Sequence, residues 1–554
     1  MALLCAAQHA WAQGNFTWDG GGTDNNWTTA ANWNPDGAPG SPQNNLNFAG
    51  STRLTPNNNF GNYSAGYRIF FNSGASSFTQ GGNPIKFFDF SGNRAIIQND
   101  SANTQTINLR VGAGNSTGGL DFYANAGDMI YNGGAIDNGT VFMDGGSQIR
   151  FPAGNGHTIT FNKGIVDGSA AGSVAIQANT IVIYNAACTY SGGTFLDAGQ
   201  LQISTNGSVA GTISIGPVTS SSADAAVYAQ PAAGGLTITN AITVRSGGSG
   251  PLTLGGLNTS SENVFSGSIT LQKSVSLSAA TGGSTRFSGV ISETTAGSGV
   301  TIGRAGNTGT VVYDNAMTYT GPTTVSFGTL KLNAANRIPD SSALSVASGA
   351  TFDMNNSSET VGSISGAGNI SVGTGQLIAG QDNSATTFSG VMSGTSSGSF
   401  VKKGTGTLTL SGANTYSGQT FAVGGTLSFN AAQDSGFTGT INVGETSGTD
   451  AATVAIGTSG VTISNPLNVR SGSSGTKTVS SSATSGSATF SGNTTLGTDL
   501  TTSSASGGTL TLSGSTLDLK NQTLTVTGSG STLISGVLQQ STGSSQLTKS
   551  GSGT

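Results

Sequence analysis

Side chains able to do acid–base or nucleophilic chemistry are few and widely spaced in this chain. After the first dozen residues there is one histidine, His157, in Gly156-His157-Thr158-Ile159, and one cysteine, Cys188. With one histidine, a catalytic constellation is hard to assemble. His157 reads as a surface residue at a turn entering a strand. Cys188 reads as a turn residue that occupies, two places before a tyrosine, the position held by Asn414 in a later motif, and not as a reactive thiol. Two segments fit the nucleophile-elbow pattern G-x-S-x-G, Gly114–Gly118 and Gly394–Gly398. Neither lies between a clear strand and a helix, and a chain this rich in Gly and Ser produces such matches by chance. Gly133-Gly134-Ala135-Ile136-Asp137 is a single partial copy of a calcium nonapeptide, a site that needs tandem copies so that adjacent turns share ions. Asp121, Asp128, Asp137 and Asp144 recur and would make an acidic row if they fell on one face of successive coils, although turn-favouring Asp explains them equally. No catalytic, cofactor-binding or metal-ligating residue is assigned, and no enzymatic activity is expected.

The other chemistry-bearing group is aromatic. Trp18, Trp27 and Trp33 fall within a short N-terminal stretch, and no tryptophan follows. Exposed coplanar indoles would make a platform for sugar rings. The plainer expectation is a cap that closes the first core layer of a stack.

Such residues need a scaffold, and composition describes it. Only 8% of the 554 residues are charged, 88 are Gly, and the net charge is −5. There is no basic stripe for nucleic acid and no polybasic patch for a membrane surface. Abundant alternating apolar residues argue against disorder, and no long stretch has apolar residues at helical spacing. Strands with very frequent turns are expected. With Cys5 inside an N-terminal leader, one thiol and no disulfide remain, so stability must come from stacked strands.

The organising stretch is Val401 to Asn430, VKKGTGTLTLSGANTYSGQTFAVGGTLSFN. It reads as two strands, Gly406–Ser411 and Gly425–Asn430, each with apolar residues at every second position. Lys402, Lys403 and Tyr416 stand out within it, but the motif recurs, so these read as structural. Tyr416-Ser417-Gly418 reads as a corner with an aromatic folded over it, glycine supplying a positive φ. The turn returns at Cys188-Thr189-Tyr190-Ser191-Gly192 and Met317-Thr318-Tyr319-Thr320-Gly321. A second motif precedes it, Phe287-Ser288-Gly289-Val290-Ile291, Phe388-Ser389-Gly390-Val391-Met392 and Ile534-Ser535-Gly536-Val537-Leu538. Lys403 and Lys549, like Ser389 and Ser535, are 146 residues apart (549 − 403, 535 − 389), which implies a gap-free register. A longer duplication places Arg245 and Arg470 225 residues apart (470 − 245). Repetition on this scale is the growth mode of a solenoid.

Residues Thr329 to Asn430, with GTLKLNAANRIP, TFSGVMSGTSSGSFVKKGTGTLTLSGANTYSGQT and GGTLSFN, closely resemble the autotransporter-associated β-strand repeat, also called the passenger-associated transport repeat. The resemblance implies a right-handed parallel β-helix, export, and a structural or adhesive passenger role. The expected architecture is all-β and elongated. It comprises a signal peptide at 1–12, ending in Ala10-Trp11-Ala12, a Trp-rich cap at 13–56, an irregular β-helix section at 57–184, and repeats at 185–554 that are expected to be C-terminally truncated. The expected location is extracellular or at the outer surface of a Gram-negative-type bacterium, as a monomeric rod without membrane insertion. Expected partners are a surface polysaccharide or another cell surface, with no nucleic acid. Two alternatives stay open: a carbohydrate-binding or polysaccharide-degrading β-helix with a groove in residues 60–180, and a repeat that mainly assists export and folding.

Overall fold

A computed structural model describes residues 14–40, 44–65, 67–87, 94–113, 119–133, 141–143, 148–230 and 234–554. The leader at 1–12, the Gly114–Gly118 match, most of the Gly133–Asp137 segment, Asp137 and Asp144 lie outside the described residues. Two compact units are formed, Met1–Lys273 and Ser274–Thr554. Among the described residues the helical content is one turn of 3-10 helix, Ala30–Asn32, so no helix is long and apolar enough to cross a membrane.

The first unit is a parallel β-solenoid. Asn44–Phe48 pairs in parallel with Tyr67–Phe71, that strand with Ala95–Asn99, and that in turn with Gly119–Ala124. The register stacks Leu46, Ile69, Ile97 and Phe122 in one column, all buried. A second column of strands runs from Gln105–Ile107 through Met129–Tyr131, Thr158–Phe161, Ile181–Tyr184 and Gly199–Ile203 to Ala225–Ala229. Alternation inside these strands turns every second side chain to the core, and each fully buried Leu, Ile or Phe contributes roughly 1.5–3 kcal/mol.

Trp18, Trp27 and Trp33 close the N-terminal end of this unit. All three are buried, and they meet edge to face, with Trp18 and Trp33 at 5.1 Å and 84° and Trp27 and Trp33 at 6.2 Å and 81°. The Trp33 indole N–H donates to the Trp27 carbonyl at 2.8 Å. Buried perpendicular rings are core packing and leave no coplanar face for a sugar.

The second unit repeats the design. Thr407–Leu410 pairs in parallel with Gly425–Phe429, followed by Ala452–Ile456, Lys477–Ser481, Leu500–Ser504 and Thr523–Gly528. Leu408, Leu427, Val454 and Val479 stack inward and are buried, as alternation in the organising stretch requires. Outward, Thr407, Thr426, Thr453, Thr478, Thr501, Thr525 and Thr548 stand in register.

Candidate functional site

Among the described residues the recurring turn is built three times from equivalent side chains. Tyr190, Tyr319 and Tyr416 each enter the core at a corner and are fully buried. Each phenol shares a hydrogen bond with the threonine four residues on, Thr194 at 2.5 Å, Thr323 at 2.7 Å and Thr420 at 2.7 Å. Burial pushes all three phenols up, Tyr319 to about 12. The aromatic is therefore turned into the core and not folded over the corner from outside.

Two places before each tyrosine stands a different residue type with one task. The Cys188 thiol sulfur accepts the backbone N–H of Ile165 at 3.4 Å, the Met317 thioether that of Ile291 at 3.3 Å, and the Asn414 amide oxygen that of Met392 at 2.9 Å. The following residue answers across the same gap, as the N–H groups of Thr189, Thr318 and Thr415 donate to the carbonyls of Ile165, Ile291 and Met392 at 2.8, 2.9 and 2.9 Å. Ile291 and Met392 end the Phe-Ser-Gly-Val motifs, so the two sequence motifs are the two sides of one coil-to-coil seam. Cys188 is buried and its thiol is pushed up to about 12 by desolvation, which makes it an acceptor and not a nucleophile.

Gly192, Gly321 and Gly418 follow in this corner, and none has a positive φ. A Cβ on Gly418 would collide with the Gly398 carbonyl, one on Gly321 with Gly297, and one on Gly192 with Gly172. Close approach of neighbouring coils is what demands glycine there, a correction to the expected backbone reason. The Lys402 ammonium is enclosed and donates to the carbonyls of Lys403 at 2.6 Å, Gly404 at 3.1 Å and Gly424 at 3.2 Å. Lys549 likewise donates to the glycine two residues on, Gly551, at 2.7 Å. The two lysines share this local bond but lie in different columns of strands, Lys402 in register with Ala379 and Ala422 and Lys549 in register with Val526. Desolvation lowers the Lys402 ammonium to about 8, partly opposed by Asp382.

The remaining candidates do not converge. Asp121 is buried between two arginines, accepting from Arg94 Nε at 2.7 Å and Arg150 Nη2 at 2.6 Å across adjacent strands. Asp128 lies farther along the same coil, where it accepts the Thr158 N–H at 2.8 Å, with the His157 ring nitrogen 3.5 Å away. These two carboxylates therefore sit on different faces. Gly394–Gly398 spans a strand end and a turn before the strand Ser399–Lys402. Among the described residues no group of three or more His, Cys, Asp or Glu side chains is placed to hold a metal ion.

Sequence reasoning passed over two further features. Arg245 lies over the Phe195 ring at 5.9 Å and Arg470 over Phe421 at 5.2 Å, so cation–π lids are part of the long duplication. The Arg245–Arg470 spacing was visible, but nothing marked the phenylalanines as their partners. Glu359 is the other, a carboxylate 1% exposed that accepts the N–H groups of Arg337 at 2.8 Å and Ile338 at 3.2 Å.

Residues 178–203, 307–332 and 400–429 match the passenger-associated-transport-repeat family, and each match contains one of the three tyrosine corners. Those three segments are similar to the passenger-associated transport repeat. Over 143 residues it is also 36% identical to the Adhesin BmaC autotransporter of Brucella suis biovar 1 (strain 1330), a stretch that covers 24% of this chain and 4% of that protein. No solved structure matches. The shared core of the transport repeat in this chain is the Tyr-x-x-x-Thr bond, the acceptor two places before the tyrosine, and the glycine two places after it.

Proposed function

We propose that this chain is a non-enzymatic passenger-type β-solenoid, exported and displayed on the surface of a Gram-negative-type cell, where it serves a structural or adhesive role. The observation that carries the reading is the threefold match to the transport repeat, each copy centred on the same buried tyrosine–threonine corner. The likeness to an autotransporter adhesin supports adhesion, although the matched stretch is a small fraction of that protein. The test is on intact producing cells. Antibody labelling and protease sensitivity are expected without lysis, together with weaker attachment to surfaces when the gene is deleted. Detection only after lysis would overturn display, and unchanged attachment would remove the adhesive half of the reading.

A second reading concerns the repeat itself. Its defining side chains are buried and spent on a bond within the corner and a bond to the neighbouring coil, so they present nothing to a ligand. The repeat then acts by closing each coil onto the one before, as a passenger folding outside the cell requires.

A further inference from the structure

Superimposing the three corners by sequence exposes one residue that the repeat does not explain. Eight places after the tyrosine the copies carry Ala198, Phe327 and Gly424. Ala198 and Gly424 are buried, whereas Phe327 is 42% exposed. Five places after the tyrosine, Phe195 and Phe421 lie beneath arginines, and the middle copy has Thr324 instead. The middle repeat thus lacks the arginine-covered ring and presents another ring to solvent, at a position where Ala and Gly satisfy the same corner. The solvent-facing part of the ring adds nothing to the core, and Ala198 and Gly424 show that the corner closes without it.

Its surroundings are those of a binding site. Phe327 borders an open depression of about 390 Å³ lined by the hydroxyl residues Thr308, Ser326, Thr329, Ser348 and Thr351. No charged side chain lines it. Thr329 and Thr351 are register partners on adjacent strands, so their spacing is fixed by the solenoid ladder. The floor is held by backbone bonds from Phe327 to Ile302 at 3.2 Å and from Thr351 to Gly328 at 2.9 Å. Gly349 has φ +80° and nothing within 4 Å of a notional Cβ, which leaves the mouth clear.

We infer that Phe327 and this hydroxyl ring form a subsite for one neutral pyranose unit of a surface glycan. A pyranose has an apolar C–H face to lie on the ring and a rim of hydroxyls that both donate and accept, as Ser and Thr do. A wholly apolar ligand would cover hydroxyls without pairing them, apart from Thr308, which already shares a bond with the Thr281 hydroxyl at 3.0 Å, and a charged one would find no counter-ion. The inference rests on the adhesive reading above and names its ligand chemistry.

The test uses purified residues 14–554 and saturation-transfer NMR with the methyl pyranosides of glucose, galactose and mannose. At least one is expected to bind. Phe327→Ala and Phe327→Gly, which copy the sibling repeats, should stay folded with a cooperative urea melt and weaken that binding about tenfold, while Phe327→Tyr retains it. Equal binding by Phe327→Ala, or no binding of any of the three sugars by the parent, would overturn the inference. Absence of sugar binding by the parent with cell-surface display intact would count against this subsite alone, and Phe327-dependent binding by a protein never found on the surface would count against display alone.

Discussion

At the scale of the residue, the seam between coils is defined by a task and not by a side chain. Cysteine, methionine and asparagine do the same work at positions 188, 317 and 414 because each offers an acceptor of suitable reach to a backbone N–H that would otherwise be buried unpaired. The asparagine should be the strongest of the three, since its oxygen is the better acceptor and its amide also donates to Gln433 at 2.8 Å. Asn414→Leu keeps the γ-branched shape but abandons the Met392 N–H, and is expected to cost about 1–3 kcal/mol. Asn414→Cys restores an acceptor already used elsewhere in this chain and should cost less than the leucine. Urea midpoints of the two variants decide the matter. Coincident midpoints would mean that the acceptor at this position contributes nothing.

At the scale of the element, Glu359 ties the strand Glu359–Val361 to the segment at Arg337 and Ile338 by accepting both N–H groups. Desolvation raises its carboxyl from the ordinary 4.5 to about 7, with Asp340 adding to the effect and the backbone donors opposing it. A raised carboxyl pKa means that the folded chain holds a proton the unfolded chain has lost between pH 4.5 and 7. Stability from this group is therefore full below pH 4.5 and falls as pH rises to about 7, by an amount on the order of 3 kcal/mol. Chemical melts across that window should show the slope, and Glu359→Gln should flatten it while sacrificing one of the two acceptors. A parent whose stability rises with pH through the window would contradict the assignment. None of this was legible in the sequence, where Glu359 is one charge in a turn-rich stretch. The strands were legible, because the period-2 alternation of Leu408 and Leu410 against Thr407 and Thr409 fixes which face is buried whatever the coil's path. Gly418 shows the boundary between the two cases. Its place in a corner was evident, yet its reason is the Gly398 carbonyl, which belongs to another coil and leaves no mark in the local pattern. Asp121 escaped for the same cause, since its arginines come from separate strands.

At the scale of the molecule, each unit is held by neighbour-to-neighbour register, so the coil and not the residue is the natural quantum of insertion and loss. The second unit makes this testable. Thr407 pairs with Thr426, Leu408 with Leu427 and Leu410 with Phe429, a spacing of 19 residues (426 − 407). Deleting residues 407–425 sets Thr426 where Thr407 stood, Leu427 where Leu408 stood, and keeps every inward position apolar. The strand Ile441–Val443, which pairs with Thr420–Ala422, would then meet the strand Ser399–Lys402 directly, Ile441 taking the place of Thr420 opposite Phe400. Deleting residues 407–424 removes one residue fewer and is the harsher change, since Gly425 then occupies the first position, Thr426 faces the core, and Leu427 faces water. A one-residue slip turns a whole strand over, exposing two large apolar side chains at roughly 1.5–3 kcal/mol each. The longer deletion should therefore melt cooperatively near the parent's temperature by circular dichroism, and the shorter one should melt earlier or in two stages. If the two deletions behave alike, the turns absorb register errors, and the alternation of Thr and Leu through these strands is not what sets the stack.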